Sequence, residues 1–225
     1  MKIECAPLGP FETNCYLLTD EATKTCAVID APPGSGEHVI AEILERGYAI
    51  GPLVLTHGHW DHMADAHLFK KAGAKVYAHR DDQRIIEDVS VVMPRMQKMI
   101  PWLPDSAFTS CEVDAWLAEG DTIGLAGETF AVRHVPGHCP GSILLWCEAE
   151  KLAFCGDAIF SGSVGRTDLP GGDRPTLLRS IREKIYTLPH ETVLYPGHGE
   201  ATLVGDEYVS NPYARPENPL GVPKN

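Results

Sequence analysis

The chain has 225 residues, 44% of them hydrophobic, enough to bury a sizeable core, and a formal net charge of −12. Its Lys and Arg residues are scattered rather than clustered, which excludes the basic footprint of a nucleic-acid binder. Met1 to Pro10 holds one lysine and no apolar run of signal-peptide length, and no later stretch is uncharged enough to span a bilayer, so the expectation is a cytoplasmic protein that avoids membranes.

In chain order, β-branched and apolar runs at Asn14–Thr19 and Thr25–Ile29 predict two strands, and the turn after them leads into an amphipathic helix from about Glu37 to Arg46. Pro52–Thr56 reads as a buried strand, Met63–Lys71 as a helix and Lys75–Ala78 as another strand, the alternation expected when helices cover a sheet. In Asp81–Pro104, Met93, Met96 and Met99 keep helical spacing while Pro94, Pro101 and Pro104 break any long helix. This segment is expected to be a mobile helical excursion flanking a site. From about Glu112 strands dominate, at Glu128–Val135, Ser142–Cys147 and Lys151–Cys155. A helix at Pro175–Tyr186, a strand at Thr192–Tyr195, a closing helix at Leu203–Val209 and a Pro- and Asn-rich tail at Asn211–Asn225 complete the chain. Both halves run strands then helix with no linker, which suits one domain over 1–225: two sheets face to face with helices outside. The seven cysteines form no C-x-x-C pair and read as reduced, mostly buried thiols.

Chemistry enters at Thr56-His57-Gly58-His59-Trp60-Asp61-His62, where a buried strand ends. Residues two apart in an extended chain point to the same side, so His57 and His59 can grip one metal together. Asp61 and His62 follow as the chain turns into the helix at Met63 and are free to hold a second ion, and Gly58 lets the loop fold tightly. Four ligand-type side chains in six positions are hard to explain by packing, and imidazole with carboxylate suits zinc or iron. His138 in Pro136-Gly137-His138-Cys139-Pro140-Gly141-Ser142, Asp157 in Cys155-Gly156-Asp157 and His198 in Pro196-Gly197-His198-Gly199 repeat the pattern of a strand end beside glycine.

The ordered set T-H-G-H-W-D-H, P-G-H-C-P-G-S, C-G-D and P-G-H-G resembles the metallo-β-lactamase superfamily over almost the whole chain. The resemblance implies an α/β, four-layer αββα sandwich with the site at one edge. It implies two divalent metal ions, zinc first with iron or manganese also compatible. His57, His59 and His138 would hold the first, Asp61, His62 and His198 the second, and Asp157 would bridge. Two cations sharing Asp157 and a water would supply a metal-bridging hydroxide at neutral pH, with Asp61 also orienting it. The β-lactamases of this superfamily carry a cysteine where Asp157 stands and have a secretory signal, which argues against antibiotic hydrolysis.

The segment from Phe160 to Asp173 is most similar to the short bacterial type II glyoxalases, which resemble hydroxyacylglutathione hydrolases and cleave S-lactoylglutathione. The likeness implies a thioester or related ester as small-molecule substrate, with Arg166 placed to bind a glutathione carboxylate. A salt bridge from Arg166 to Asp168 or Asp173 that ties the loop is the competing role. Longer glyoxalases have an aromatic residue where Asp168 stands, a tyrosine where Glu200 stands and a C-terminal helical domain, none of which this chain has. Persulfide dioxygenases share the G-R-T-D string and bind a single iron through residues matching His57, His138 and Asp157, which gives an alternative reaction. A non-catalytic metal-binding protein is the third possibility, and the intact ligand set argues against it. His79, His134 and Cys139 are read as packing or hydrogen-bond support, and His38, His67 and His190 as chemically idle. Oligomeric state is left open.

Overall fold

The computed structural model describes residues 1–216. Strands β1 (Lys2–Leu8), β2 (Thr13–Asp20) and β3 (Thr25–Ile29) form an antiparallel meander, and helix α1 (Ser35–Glu45) then crosses to β4 (Leu53–Val54), parallel to β3. Two short helices, α2 (Trp60–Met63) and α3 (Ala66–Lys71), lead to β5 (Val76–His79). An excursion through α4 (Gln83–Glu87) and α5 (Met93–Met99) returns to β6 (Ala115–Leu117), which closes a six-stranded sheet in the order β1-β2-β3-β4-β5-β6.

The second half begins with β7 (Thr122–Leu125), β8 (Glu128–His134), β9 (Ile143–Cys147) and β10 (Leu152–Gly156). A small hairpin of β11 (Ile159–Phe160) and β12 (Ser163–Val164) precedes α6 (Arg174–Ser180), which continues as a wider π-helical turn over Ile181–Ile185. Then come β13 (Val193–Pro196), β14 (Thr202–Leu203) and α7 (Val204–Ser210), and the second sheet runs β14-β13-β10-β9-β8-β7.

Period-two alternation sorts the strands into layers. Tyr16, Leu18, Ala27 and Ile29 face inward and meet Phe130, Val132, Leu145 and Phe154 of the other sheet, while Cys15, Leu17, Cys26 and Val28 face outward beneath Val39, Ile43 and Phe69 of α1 and α3. On the second sheet Leu144, Ala153 and Cys155 turn outward onto Leu177, Ile181 and Ile185. Four layers, α/β/β/α, result, as the sequence resemblance implies.

Several boundaries differ from the sequence reading for identifiable reasons. Helix α2 starts at Trp60, so Asp61 and His62 lie on the helix rather than before it, and the expected helix Met63–Lys71 is broken at Ala64–Asp65. The break has a cause: Asp65 N–H donates to Ala31 O at 3.0 Å, and its carboxylate accepts from the N–H groups of Gly34 and Gly36 at the start of α1. Strand β1 was not expected from its half-exposed, charged sequence, which suits a sheet edge. The excursion is helical in pieces, and Pro94 stands at the start of α5, where a missing N–H costs nothing. The tail is anchored where it begins: Asn211 is buried, with its Oδ1 accepting from the N–H groups of Tyr213 and Ala214. Residues 217–225 of that tail lie outside the described residues. The cysteines are all free, and Cys5 alone is exposed.

Candidate metal centre

The ligand candidates arrive from strand ends on one edge of the sandwich. His57 and His59 follow β4, Asp61 and His62 sit in α2, His138 follows β8, Asp157 follows β10 and His198 follows β13. The two sheets are tied together at this edge by Ile143 N–H donating to Thr56 O at 2.9 Å and Asn14 N–H donating to Gly197 O at 2.7 Å. All seven expected side chains come together. His57, His59 and His138 form one group of converging donors and Asp61, His62 and His198 another. Asp157 lies between them, its Oδ1 3.4 Å from His62 Nε2 and its Oδ2 3.4 Å from His138 Nε2 and 3.5 Å from His198 Nε2.

These spacings suit metal ions. Donors held 2.0–2.1 Å from a tetrahedral ion sit about 3.3 Å apart. His57 Nε2 lies 3.1 Å from His59 Nδ1 and 3.2 Å from His138 Nε2, and His198 Nε2 lies 3.4 Å from both His62 Nε2 and Asp61 Oδ2. Asp157 Oδ1 is buried with no hydrogen-bond partner, an atom for which a cation is the natural complement.

Hydrogen bonds at the far ring nitrogens aim the imidazoles inward. His138 Nδ1 donates to Arg166 O at 2.8 Å and His198 Nδ1 to Phe11 O at 3.0 Å. His62 Nδ1 donates to Asp30 Oδ2 at 2.8 Å, while Thr56 Oγ1 donates to the same carboxylate oxygen and accepts from His57 Nδ1. One buried carboxylate, Asp30, therefore orients a histidine in each donor group.

Electrostatics point the same way. Burial holds His59 down to about 3, a neutral imidazole with a lone pair to give. Burial opposes charge on His198 as well, but hydrogen bonds to Asp157 and Asp61 outweigh it and push that ring up to about 10. For Asp61, burial is outweighed by His62 and His198, which hold the carboxyl at about 2. The carboxylates thus draw positive charge to the positions that cations would fill.

Sequence reading missed the residues that hold this centre in shape. Asp30 ends β3 in the left-handed region, φ 61°, which aims its carboxylate back at Thr56 and His62. Asp82 is buried and accepts from Gly58 N–H, Gly141 N–H and Cys139 Sγ, so one carboxylate clamps the loops carrying His57, His59 and His138. Thr13 Oγ1 donates to Asp61 Oδ2 at 2.9 Å, and Asn14 Nδ2 donates to the carbonyls of Pro196 and Gly199 beside His198. The only local cue was for Asp30, an acidic residue directly after the apolar run Thr25–Ile29.

Gly58 works differently from the expectation. Its φ is not positive; a Cβ there would lie 2.7 Å from Ile85 Cγ1, so its bareness lets α4 pack on the ligand loop. Gly197 is similar, since a Cβ would lie 2.1 Å from Asp157 Oδ1. His79 and His134 stack at 4.0 Å, and with Asp81 they form a further donor group. Two of its ring nitrogens are engaged elsewhere: His79 Nδ1 accepts from Asp81 N–H, and His134 Nε2 carries a proton that it donates to Pro140 O, supporting the His138 loop. Arg166 makes a two-pronged ion pair with Asp168, Nε to Oδ1 and Nη2 to Oδ2, both at 2.8 Å.

A cavity of about 620 Å³ opens beside the donors, lined by Phe11, Trp60, Ile85, Val92 and Met96 among others. No helix among the described residues is long and apolar enough to cross a membrane.

Comparison with known proteins places this site in context. The metallo-beta-lactamase superfamily model matches residues 8–198. The hydroxyacylglutathione hydrolase GloC of Haemophilus influenzae is 36% identical over 217 residues, covering 95% of this chain and 98% of that protein. Among solved structures, BLEG-1, described as a B3 metallo-beta-lactamase, superposes with TM-score 0.82 at 32% identity, covering 95% of this chain and 99% of the other. TTHA1623 in a di-iron-bound form gives TM-score 0.76 at 31% identity, covering 93% and 99%. ETHE1 from Myxococcus xanthus, at 24% identity and TM-score 0.76 over 95% and 84%, shares the fold.

Proposed function

The chain belongs to the metallo-beta-lactamase superfamily and is a metallohydrolase of that group, and from this premise we propose that it cleaves thioesters of the S-lactoylglutathione type with two divalent ions. The observation that carries the reading is the convergence of two complete donor groups on a shared Asp157 carboxylate whose buried Oδ1 has no hydrogen-bond partner. His57, His59 and His138 would hold one ion, Asp61, His62 and His198 the other, with Asp157 between them. When bound, such a pair supplies a water acidic enough to attack at neutral pH and a charge that polarises the carbonyl.

The chain's own groups do the rest. Thr13 fixes the Asp61 carboxylate, so that its remaining acceptor capacity can orient the attacking water and take its proton. Asp30 fixes the faces of His57 and His62. The apolar cavity walls exclude bulk water from the reacting carbonyl. Support for the thioester comes from the GloC likeness along nearly the whole chain.

The test is loss of thioester absorbance when protein reconstituted separately with zinc and with ferrous iron meets S-lactoylglutathione without oxygen. Turnover in either state is expected. Absence of turnover, with oxygen uptake on glutathione persulfide in the iron state, would move the assignment to a dioxygenase. A β-lactam belongs in the same assay because of the BLEG-1 description, and faster cleavage of it than of the thioester would reassign the substrate.

A further inference from the structure

The cavity that serves the proposed thioester site is unlike a pocket for a small hydroxyacyl group. Its inner wall is Phe11, Trp60, Ile85, Val92 and Met96, buried or half-buried, with Val91 and Met99 continuing the apolar surface toward solvent. About 620 Å³ falls within the range of pockets that enclose ligands much larger than lactate. Among the described residues no Asn, Gln, Ser, Thr or Tyr side chain lines it, and away from the metal donors the hydrogen-bonding side chains at its open end are the two arginines Arg95 and Arg166.

Beyond the metal donors, charge is found only at the mouth among the lining residues. Arg95 on α5 and Arg166 on the loop after β12 line it, and both are exposed. Their availability differs. Arg166 spends its guanidinium fork on Asp168, whereas Arg95 makes none of the ion pairs found among the described residues. Asp168, held at about 2 by its hydrogen bond to Arg166, also feels the charge of Arg95, so the three groups share one rim.

Resting on the thioester reading above, we infer that the substrates are thioesters with an apolar acyl chain longer than lactoyl, seated on the Trp60–Met96 wall, with an anionic thiol portion steered by Arg95 at the mouth. Hydrolysis forms a bond from water oxygen to the acyl carbon and breaks the bond from that carbon to sulfur. The electron pair and one of the water protons go to the thiol, the second proton is released to solvent, and the acyl chain leaves as a carboxylate. The apolar wall acts on binding of the chain and the rim on binding of the thiol portion, so the two parts of the substrate are recognised independently.

The experiment measures kcat/KM of zinc-reconstituted protein for acetyl, lactoyl, hexanoyl and octanoyl thioesters of glutathione. The same acyl groups are then offered on N-acetylcysteamine, a neutral thiol. Each buried methylene is expected to raise kcat/KM about twofold to fourfold. Met99→Gln and Val91→Thr, both at exposed positions, are expected to lower the octanoyl-to-acetyl ratio. Arg95→Gln is expected to lower kcat/KM for glutathione thioesters about threefold to tenfold relative to N-acetylcysteamine thioesters of equal chain length. A profile that is flat or falls with chain length, while thioesters are still cleaved, overturns this inference and leaves the thioester reading intact.

A second measurement is independent of turnover: S-hexylglutathione and S-decylglutathione titrated into metal-free protein, read by the change in tryptophan fluorescence, with Trp60→Phe protein giving the share of the other three tryptophans. Tighter binding of the longer chain is expected. Equal binding of the two overturns the apolar seat, and failure to cleave any thioester despite chain-length-dependent binding overturns the reaction assigned above rather than the seat.

Discussion

The two sides of the cavity are built on opposite principles. On the metal side, His57, His62 and His138 are at most 2% exposed, and each ring is fixed at its second nitrogen by a hydrogen bond to a carbonyl, hydroxyl or carboxylate. On the facing side, α5 has no buried residue and rests on Trp60 and Phe108 through Ile100, Met93 and Met96. The first arrangement leaves little conformational freedom, as the placement of reactive groups demands. The second presents unbranched, adaptable side chains that can repack around different occupants. The lesson is a division of labour, with reaction fixed at the strand ends and selection left to a loosely packed insertion between β5 and β6.

The sharpest way to break this comparison is to remove chemistry without moving the frame. Asp61→Asn keeps the acceptor for Thr13 but gives up the proton-accepting carboxylate, and turnover should fall about 10²- to 10⁴-fold. Turnover is read with both positions filled by added metal, as metal analysis verifies, and near-normal turnover at full occupancy would deny Asp61 the role. A smaller loss is expected from Asp30→Asn, which weakens the group that orients one histidine of each donor set. Metal affinity should drop about 10- to 100-fold, read by competition against a chromophoric chelator. A loss at only one of the two positions would show that the Thr56 relay to His57 is dispensable.

How much of this was legible in the sequence follows from the same contrast. The seven donors could be read because each sits in a short local pattern of strand end and glycine, and local pattern is what a sequence displays. Strands such as Thr25–Ile29 were equally plain, since β-branched alternation is local too. Asp30 and Asp82 were missed because their meaning depends on what the fold brings to them, Thr56 and His62 in one case, Gly58 and Gly141 in the other. The split of the Met63–Lys71 segment was hidden for the same reason: Asp65 answers to α1, far from it in sequence. For Arg166 the sequence leaves open a substrate carboxylate or a loop-tying bridge to Asp168 or Asp173, and in the structure the guanidinium pairs with Asp168.

A milder perturbation on the adaptable side sharpens the contrast. Phe108 packs against Trp60 with ring centroids 5.2 Å apart, and Trp60 Nε1 donates to Ala107 O at 3.0 Å. Phe108→Leu keeps most of the volume and should cost about 1 kcal/mol of stability. Hydrogen exchange over residues 88–100 should accelerate while metal affinity stays unchanged. If affinity falls in step with protection, the wall and the centre are one cooperative unit and the division of labour does not hold.

The smallest expected effect tests whether acid acts on the centre or on the frame around it. Hydrogen bonding to Arg46 holds Glu4 at about 2, against an ordinary 4.5, and so joins β1 to the end of α1. A carboxyl depressed in the folded state contributes stability that is fully present above its unfolded value and is lost as pH falls from about 4.5 toward 2. The pair is partly exposed, so solvent screening leaves about 1 kcal/mol of that contribution. Arg46→Gln should therefore lower stability by about that amount at pH 7, with the difference from the parent vanishing as pH approaches 2 in denaturant titrations. Metal affinity at pH 7 should be untouched, because the Arg46–Glu4 pair lies at the β1–α1 edge and none of its contacts reaches a donor of the centre. An Arg46→Gln protein that is destabilised equally at every pH would mean that the side chain acts through packing rather than through charge.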